Sequence, residues 1–175
     1  MLYLYFMART LLRPAQKTEL TSILTKKAEM KSEMFPQIKK KDYPVTILLH
    51  IADEVCREAL YQFCTVLGYH VVLSQESDLK KWDLYAFDLF VTDDTEGKSL
   101  SSLFRHGVVC VLPSDHAYSG VLSDFHPLTF EGNAYLTRGS EAVFYLERIV
   151  LARENLSYPG DRKILLENIY ATFED

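Results

Sequence analysis

The chain has 175 residues, 48% hydrophobic and 25% charged, which excludes a disordered or fibrous protein and suits one globular domain with an appendage. Nineteen Lys and Arg against twenty-four Asp and Glu give a formal charge of -5. No chain-wide basic field is therefore available for phosphate backbones, and nucleic acid is not an expected partner.

The apolar start, Met1 to Met7, is too short for a spanning helix and has no positively charged region before it. It reads as neither a signal peptide nor an anchor. The expectation is a cytoplasmic protein without direct membrane insertion, or a cytoplasmic part of a membrane-bound sensor or phosphotransfer protein. From Thr25 to Asp42 the chain is crowded with Lys26, Lys27, Lys31, Lys39, Lys40 and Lys41 and is closed by Pro36 and Pro44. This is the pattern of a solvated linker or helix end.

After Pro44 strand-like and helix-like blocks alternate. Val45 to Ile51 is a short apolar run, as a buried parallel strand requires. Glu54 to Leu67 spaces Val55, Ala59, Leu60, Phe63, Val66 and Leu67 at helical intervals and is followed by Gly68, which predicts a helix packing that face on a sheet. Tyr69 to Leu73 is a second strand, Ser77 to Tyr85 a short helix that includes Trp82, and Phe87 to Thr92 a third strand ending in Asp93 and Asp94. Leu100 to His106 is a short helix, Gly107 to Leu112 a fourth strand, Ala134 to Thr137 a fifth, and Glu141 to Arg153 an amphipathic helix.

Such alternation predicts a doubly wound, five-stranded parallel α/β sheet. Between strands four and five, Pro113 to Gly132 holds two prolines and two glycines and no helical period, so a loop replaces the helix expected there. Tyr158-Pro159-Gly160 breaks the chain, and Asp161 is placed to cap a last helix with Ile164, Leu165, Ile169 and Phe173 along one face. The organisation expected is an N-terminal strand, helix and Lys-rich linker over residues 1–41, the α/β domain over 42–156, and a C-terminal amphipathic helix over 157–175.

Chemistry in an open parallel sheet collects outside the carboxyl ends of the strands, which here carry Asp53, Asp93, Leu112 to Ser114, and Arg138. The stretch Arg57 to Tyr69, with its exit Leu67-Gly68-Tyr69, and the strand Phe87-Asp-Leu-Phe-Val-Thr-Asp93 resemble the receiver domain of two-component response regulators, a resemblance that covers residues 45–153. It implies a flavodoxin-like, CheY-like fold with N- and C-terminal helical appendages, and it puts Asp93 at the phosphoacceptor position. In receivers two acidic residues after the first strand hold the Mg²⁺ that neutralises charge on the transferring oxygens. Here Ile51 and Ala52 occupy those positions, and Asp53 follows one place late.

The hydroxyl residue expected after strand four is Leu112, with Ser114 two places on, and the expected lysine after strand five is Arg138, followed by Gly139 instead of proline. Asp93 thus reads as a vestigial acceptor, with Asp53, Asp94, Leu112, Ser114 and Arg138 as its neighbours and no cofactor or metal. The long loop resembles the α/β/loop domain of Rcs-type phosphorelay proteins. Thr10 to Leu24, with Arg13-Pro14, resembles the end of another receiver-like unit.

What the resemblance implies is a noncatalytic pseudo-receiver that docks a response regulator or another phosphorelay protein. Two alternatives stay open: a receiver phosphorylated on Asp93 with Asp53, Asp94 and Mg²⁺, and a structural spacer or dimerisation domain. Tyr118, Phe125 and Phe130 on the loop are candidates for protein contacts, against the plainer reading that they pack back onto the sheet.

Other chemistry is weakly signalled. Cys56, Cys64 and Cys110 form an odd set without a C-x-x-C pair and are expected to be reduced, buried and structural. His50, His70, His106, His116 and His126 show no zinc spacing; His116 and His126 share the loop with Asp115 and Asp124 but read as solvated. There is no Gly-rich phosphate loop for dinucleotide or ATP.

Overall fold

The computed structural model describes residues 22–30, 33, 45–74, 83–95, 99–115 and 120–173. Helical residues 22–30 form α1. They are followed by β1 (Thr46–His50), α2 (Glu54–Val66), β2 (His70–Leu73), a 3-10 turn (Leu84–Ala86), β3 (Leu89–Thr92), α3 (Leu100–Arg105), β4 (Val109–Pro113), β5 (Tyr135–Thr137), α4 (Ala142–Ser157) and α5 (Pro159–Thr172). The five strands are parallel, in the order β2-β1-β3-β4-β5. This is the flavodoxin-like doubly wound α/β fold.

Strands buried on both sides must be apolar throughout, and Ile47, Leu48 and Leu49 of β1, Leu89 to Val91 of β3 and Val109 to Leu112 of β4 are all buried. The chain leaves β1 toward one edge and β3 toward the other. Right-handed crossovers therefore put α2 and α3 on opposite faces. Helix α4 packs beside α2, while α5 packs on both α4 and α3, so the chain passes from the α2 side to the α3 side of the sheet at Tyr158.

That turn explains how the fold tolerates its missing helix. Residues 120–134 contain turns and isolated bridges but no helix. The face left open is covered by α5, whose Leu165, Leu166 and Ile169 are buried, and whose neighbour Phe173 meets Phe104 edge-on at 5.1 Å. Helix α1 comes to the same side: Ile23, Lys27 and Leu166 crowd Gly107, and Lys27 Nζ donates to the Phe87 carbonyl at 2.5 Å. Side chains of both α1 and α5 are thus buried against the domain.

The loop is bound to α5 by polar side chains. Asn168 Nδ2 donates to the carbonyls of Phe130 and Gly132 at 3.0 Å each, and Asn133 Nδ2 donates to Thr172 Oγ1 at 2.9 Å. Gly132 has φ +97°, and a Cβ there would sit 2.0 Å from the Asp124 carbonyl oxygen, so only glycine fits. Asp124 covers the free edge of β5 by accepting the Leu136 N–H at 2.8 Å.

Several sequence expectations need correction. The buried line of α2 is Cys56, Leu60 and Cys64, whereas Val55, Phe63, Val66 and Leu67 are exposed. Asp161 does not cap α5; it lies in the first turn, the N-cap is Tyr158, and Pro159 starts the helix. Helix α4 runs to Ser157, four residues past Arg153, which leaves Tyr158 as the whole break. The expected helix over Ser77 to Tyr85 falls mostly outside the described residues, as do Trp82, His116, Tyr118, the start up to residue 21 and most of the Lys-rich stretch; Leu84–Ala86 is a 3-10 turn. Among the described residues no helix is long and apolar enough to cross a membrane.

Candidate functional site at the strand ends

The carboxyl ends of β1 and β3 meet in one small arrangement centred on Asp93. Its Oδ1 accepts the Ala52 N–H at 3.0 Å, and its Oδ2 accepts the N–H groups of Ala52 and Asp53 at 3.1 Å each. These donors enter α2, where backbone N–H groups lack partners within the helix and the helix dipole favours negative charge. Asp53 is the N-cap of α2, and its Oδ1 accepts the Cys56 N–H at 3.0 Å. The two carboxylates therefore both serve the backbone of the β1–α2 connection.

The remaining positions do not complete a phosphoryl site. Ile51 is buried, and its carbonyl accepts the Arg57 guanidinium at 3.0 Å. Asp94 donates its N–H to Thr92 Oγ1 at 3.0 Å. Leu112 is buried within β4 and offers no hydroxyl, while Ser114 lies exposed beyond it, with its N–H 3.3 Å from the Thr137 carbonyl. Arg138 follows β5 and is exposed. The structure thus brings Asp53 and Asp93 together at the start of α2; Asp94 follows Asp93 directly in the chain.

The Mg²⁺ that a receiver requires does not suit this donor set. Ile51 and Ala52 supply no carboxylate, Asp53 is engaged as a cap, and the oxygens of Asp93 face N–H donors, which carry the same sign of partial charge as a cation. Among the described residues no three His, Cys, Asp or Glu side chains gather in metal-binding geometry.

Two neighbours of Asp93 escaped the sequence reading. Burial pushes the Cys56 thiol up to about 11, and the charges of Asp53 and then Asp93 add to the effect. Burial likewise raises Tyr145 of α4 well above its ordinary value, with Asp93 and then Cys56 as further causes. The tyrosine lies on the buried line Tyr145, Ile149, Ala152 and Leu156; its helical spacing was legible, its proximity to Asp93 was not. His50, at the end of β1, stacks on Phe90 at 5.6 Å, and its Nδ1 is buried without a hydrogen-bond partner among the described residues.

On the loop, Phe125 is buried and Phe130 is half-buried with φ 61°, a left-handed conformation rare for an aromatic residue. Val121 and Leu128 are its exposed large apolar side chains among the described residues. Asp124 and His126 are held in bridges that position the turn. All three cysteines are free and buried. Compared with models of protein families and with curated proteins, the chain matches none.

Proposed function

We propose that this chain is a noncatalytic, receiver-like interaction module of a bacterial phosphorelay, which docks a response regulator or a kinase or phosphotransfer domain. One observation carries the reading: both oxygens of Asp93 are occupied by backbone N–H groups of Ala52 and Asp53. A carboxylate used in this way acts as a structural tie between β3 and the start of α2. Phosphoryl transfer to it would have to break that tie, and Asp53 would have to leave its cap to approach a metal.

The doubly wound sheet and the Phe87 to Asp93 strand support the receiver-like part of the reading. The departures at Ile51, Ala52, Leu112 and Arg138 support its noncatalytic part. On this reading the protein works on the cytoplasmic side of its cell, where phosphorelay proteins meet.

Titration with Mg²⁺ and acetyl phosphate, and separately with Mg²⁺ and beryllofluoride, tests the proposal by intact mass and amide NMR. The expected result is an unchanged mass and no shift at Ala52, Asp53 or Asp93. A phosphoryl adduct on Asp93 would overturn it and restore a working receiver.

A further inference from the structure

The exposed apolar side chains of α2 form a line. Val55 is 82% exposed, Phe63 54% and Val66 85%, and with Ala59 they recur at helical spacing. Relative to the buried line Cys56, Leu60 and Cys64, this stripe is turned roughly 100° around the helix, at about 100° per residue. It therefore occupies a flank of α2.

On α4 the buried line is Tyr145, Ile149, Ala152 and Leu156, and Val143, Leu146, Val150 and Arg153 are turned roughly 100° to one side. That side faces α2, because the Arg153 guanidinium lies over the ring of Tyr69, just past the end of α2, at 5.9 Å. The opposite side carries Arg148, which reaches Asp124 at the β5 edge. Two helices that lie side by side and run the same way turn opposite flanks to each other. The stripe of α2 therefore faces α4, and Val143 and Val150, 60% and 42% exposed, line the other wall of the same groove.

The ridges on either side of the groove are acidic. Glu58 stands on α2 and Glu154 on α4, both exposed, while the exposed Glu147 of α4 pairs with its neighbour Arg148 at 3.2 Å. Arg153, over the Tyr69 ring, keeps its positive charge and stands at the Tyr69 end of the groove. A second copy of this chain would set glutamates against glutamates, which costs affinity. A helix with an apolar line and Lys or Arg on both sides of it meets apolar with apolar and positive with negative.

We propose that the α2–α4 groove docks a basic amphipathic helix of a partner protein. The proposal deepens the docking reading above and rests on it, by giving its surface and the chemistry of its partner.

The probe is a synthetic helical peptide of about 18 residues with leucines at helical spacing flanked by lysines, paired with a control flanked by glutamates. Fluorescence anisotropy with the whole chain should show binding of the first and not of the second, weakening with added salt. The double change Phe63→Ser and Val66→Ser should weaken it by about tenfold or more. These side chains are exposed, so circular dichroism should show the fold kept. Glu58→Lys with Glu154→Lys should pass the preference to the glutamate-flanked peptide.

Equal binding of both peptides, or binding indifferent to Phe63 and Val66, would overturn the proposal. So would sedimentation showing a dimer that Val66→Glu abolishes, because a second copy would then own the groove. A phosphoryl adduct on Asp93 would sink the function proposed above while leaving this groove untouched, so the two failures are distinguishable.

Discussion

Asp93 and Ala52, forty-one residues apart, are joined by two contacts of one N–H: the Ala52 amide lies 3.0 Å from Oδ1 and 3.1 Å from Oδ2 of the Asp93 carboxylate. The acidic residue that ends β3 thereby holds the start of α2 against the sheet. A charge-assisted bond of this kind is stronger than a neutral one.

Asp93→Ala should therefore lower stability by about 1 to 2 kcal/mol, since it removes the acceptor of two backbone donors. Asp93→Asn keeps one acceptor oxygen and should lose less. Urea unfolding of the two variants checks the order, and equal losses would mean that the carboxylate's second oxygen contributes nothing.

Asp53→Ala should cost about 1 kcal/mol through loss of the α2 cap, and Asp53→Ser should restore most of it, because a hydroxyl accepts the Cys56 N–H as a carboxylate does. The comparison is again made by denaturant midpoint. If Asp53 had a chemical task in place of this one, serine would fail to rescue it.

At the opposite end of the sheet, buried Asp88 accepts the Thr46 N–H at 2.9 Å and its hydroxyl at 3.0 Å. Removing the carboxylate leaves the buried Thr46 N–H without that acceptor, whereas the Thr46 hydroxyl keeps the Ala86 carbonyl at 2.7 Å, and Asp88→Ala should destabilise by about 1 to 3 kcal/mol. Thermal unfolding should register the loss.

Burial sets the pH behaviour of the cysteines. Cys56 and Cys64 are each raised from 9.0 to about 11, and Cys110 is raised further, burial being the first cause in each case. Above pH 9 the unfolded chain releases thiol protons that the folded chain still holds, so folding stability is full below that pH and falls as pH rises toward 11. Native alkylation by iodoacetamide at pH 8 should correspondingly be slow at all three sites and become fast in urea, and rapid native labelling of Cys110 would contradict its burial.

The α/β alternation, the five strands and the loop in place of a helix were legible in the sequence, because a strand buried on both faces must be an apolar run and a helix-free connection must carry its prolines and glycines. Asp93 was legible as a strand-end residue for the same reason. Its partners were not: Ala52 and Asp53 bind it through backbone N–H groups, which every residue but proline possesses and which leave no mark on the sequence. The face of α2 was misread in part: Leu60 and the two cysteines are buried as expected, but Val55, Phe63 and Val66 satisfy the helical period equally well and are exposed, and periodicity alone does not say which of two apolar lines meets the sheet. The role of α5 was likewise decided in three dimensions. Only the turn at Tyr158, which carries the chain to the α3 side of the sheet, brings Asn168 to the carbonyls of Phe130 and Gly132 and lets α5 cover the face that the helix-free connection left open.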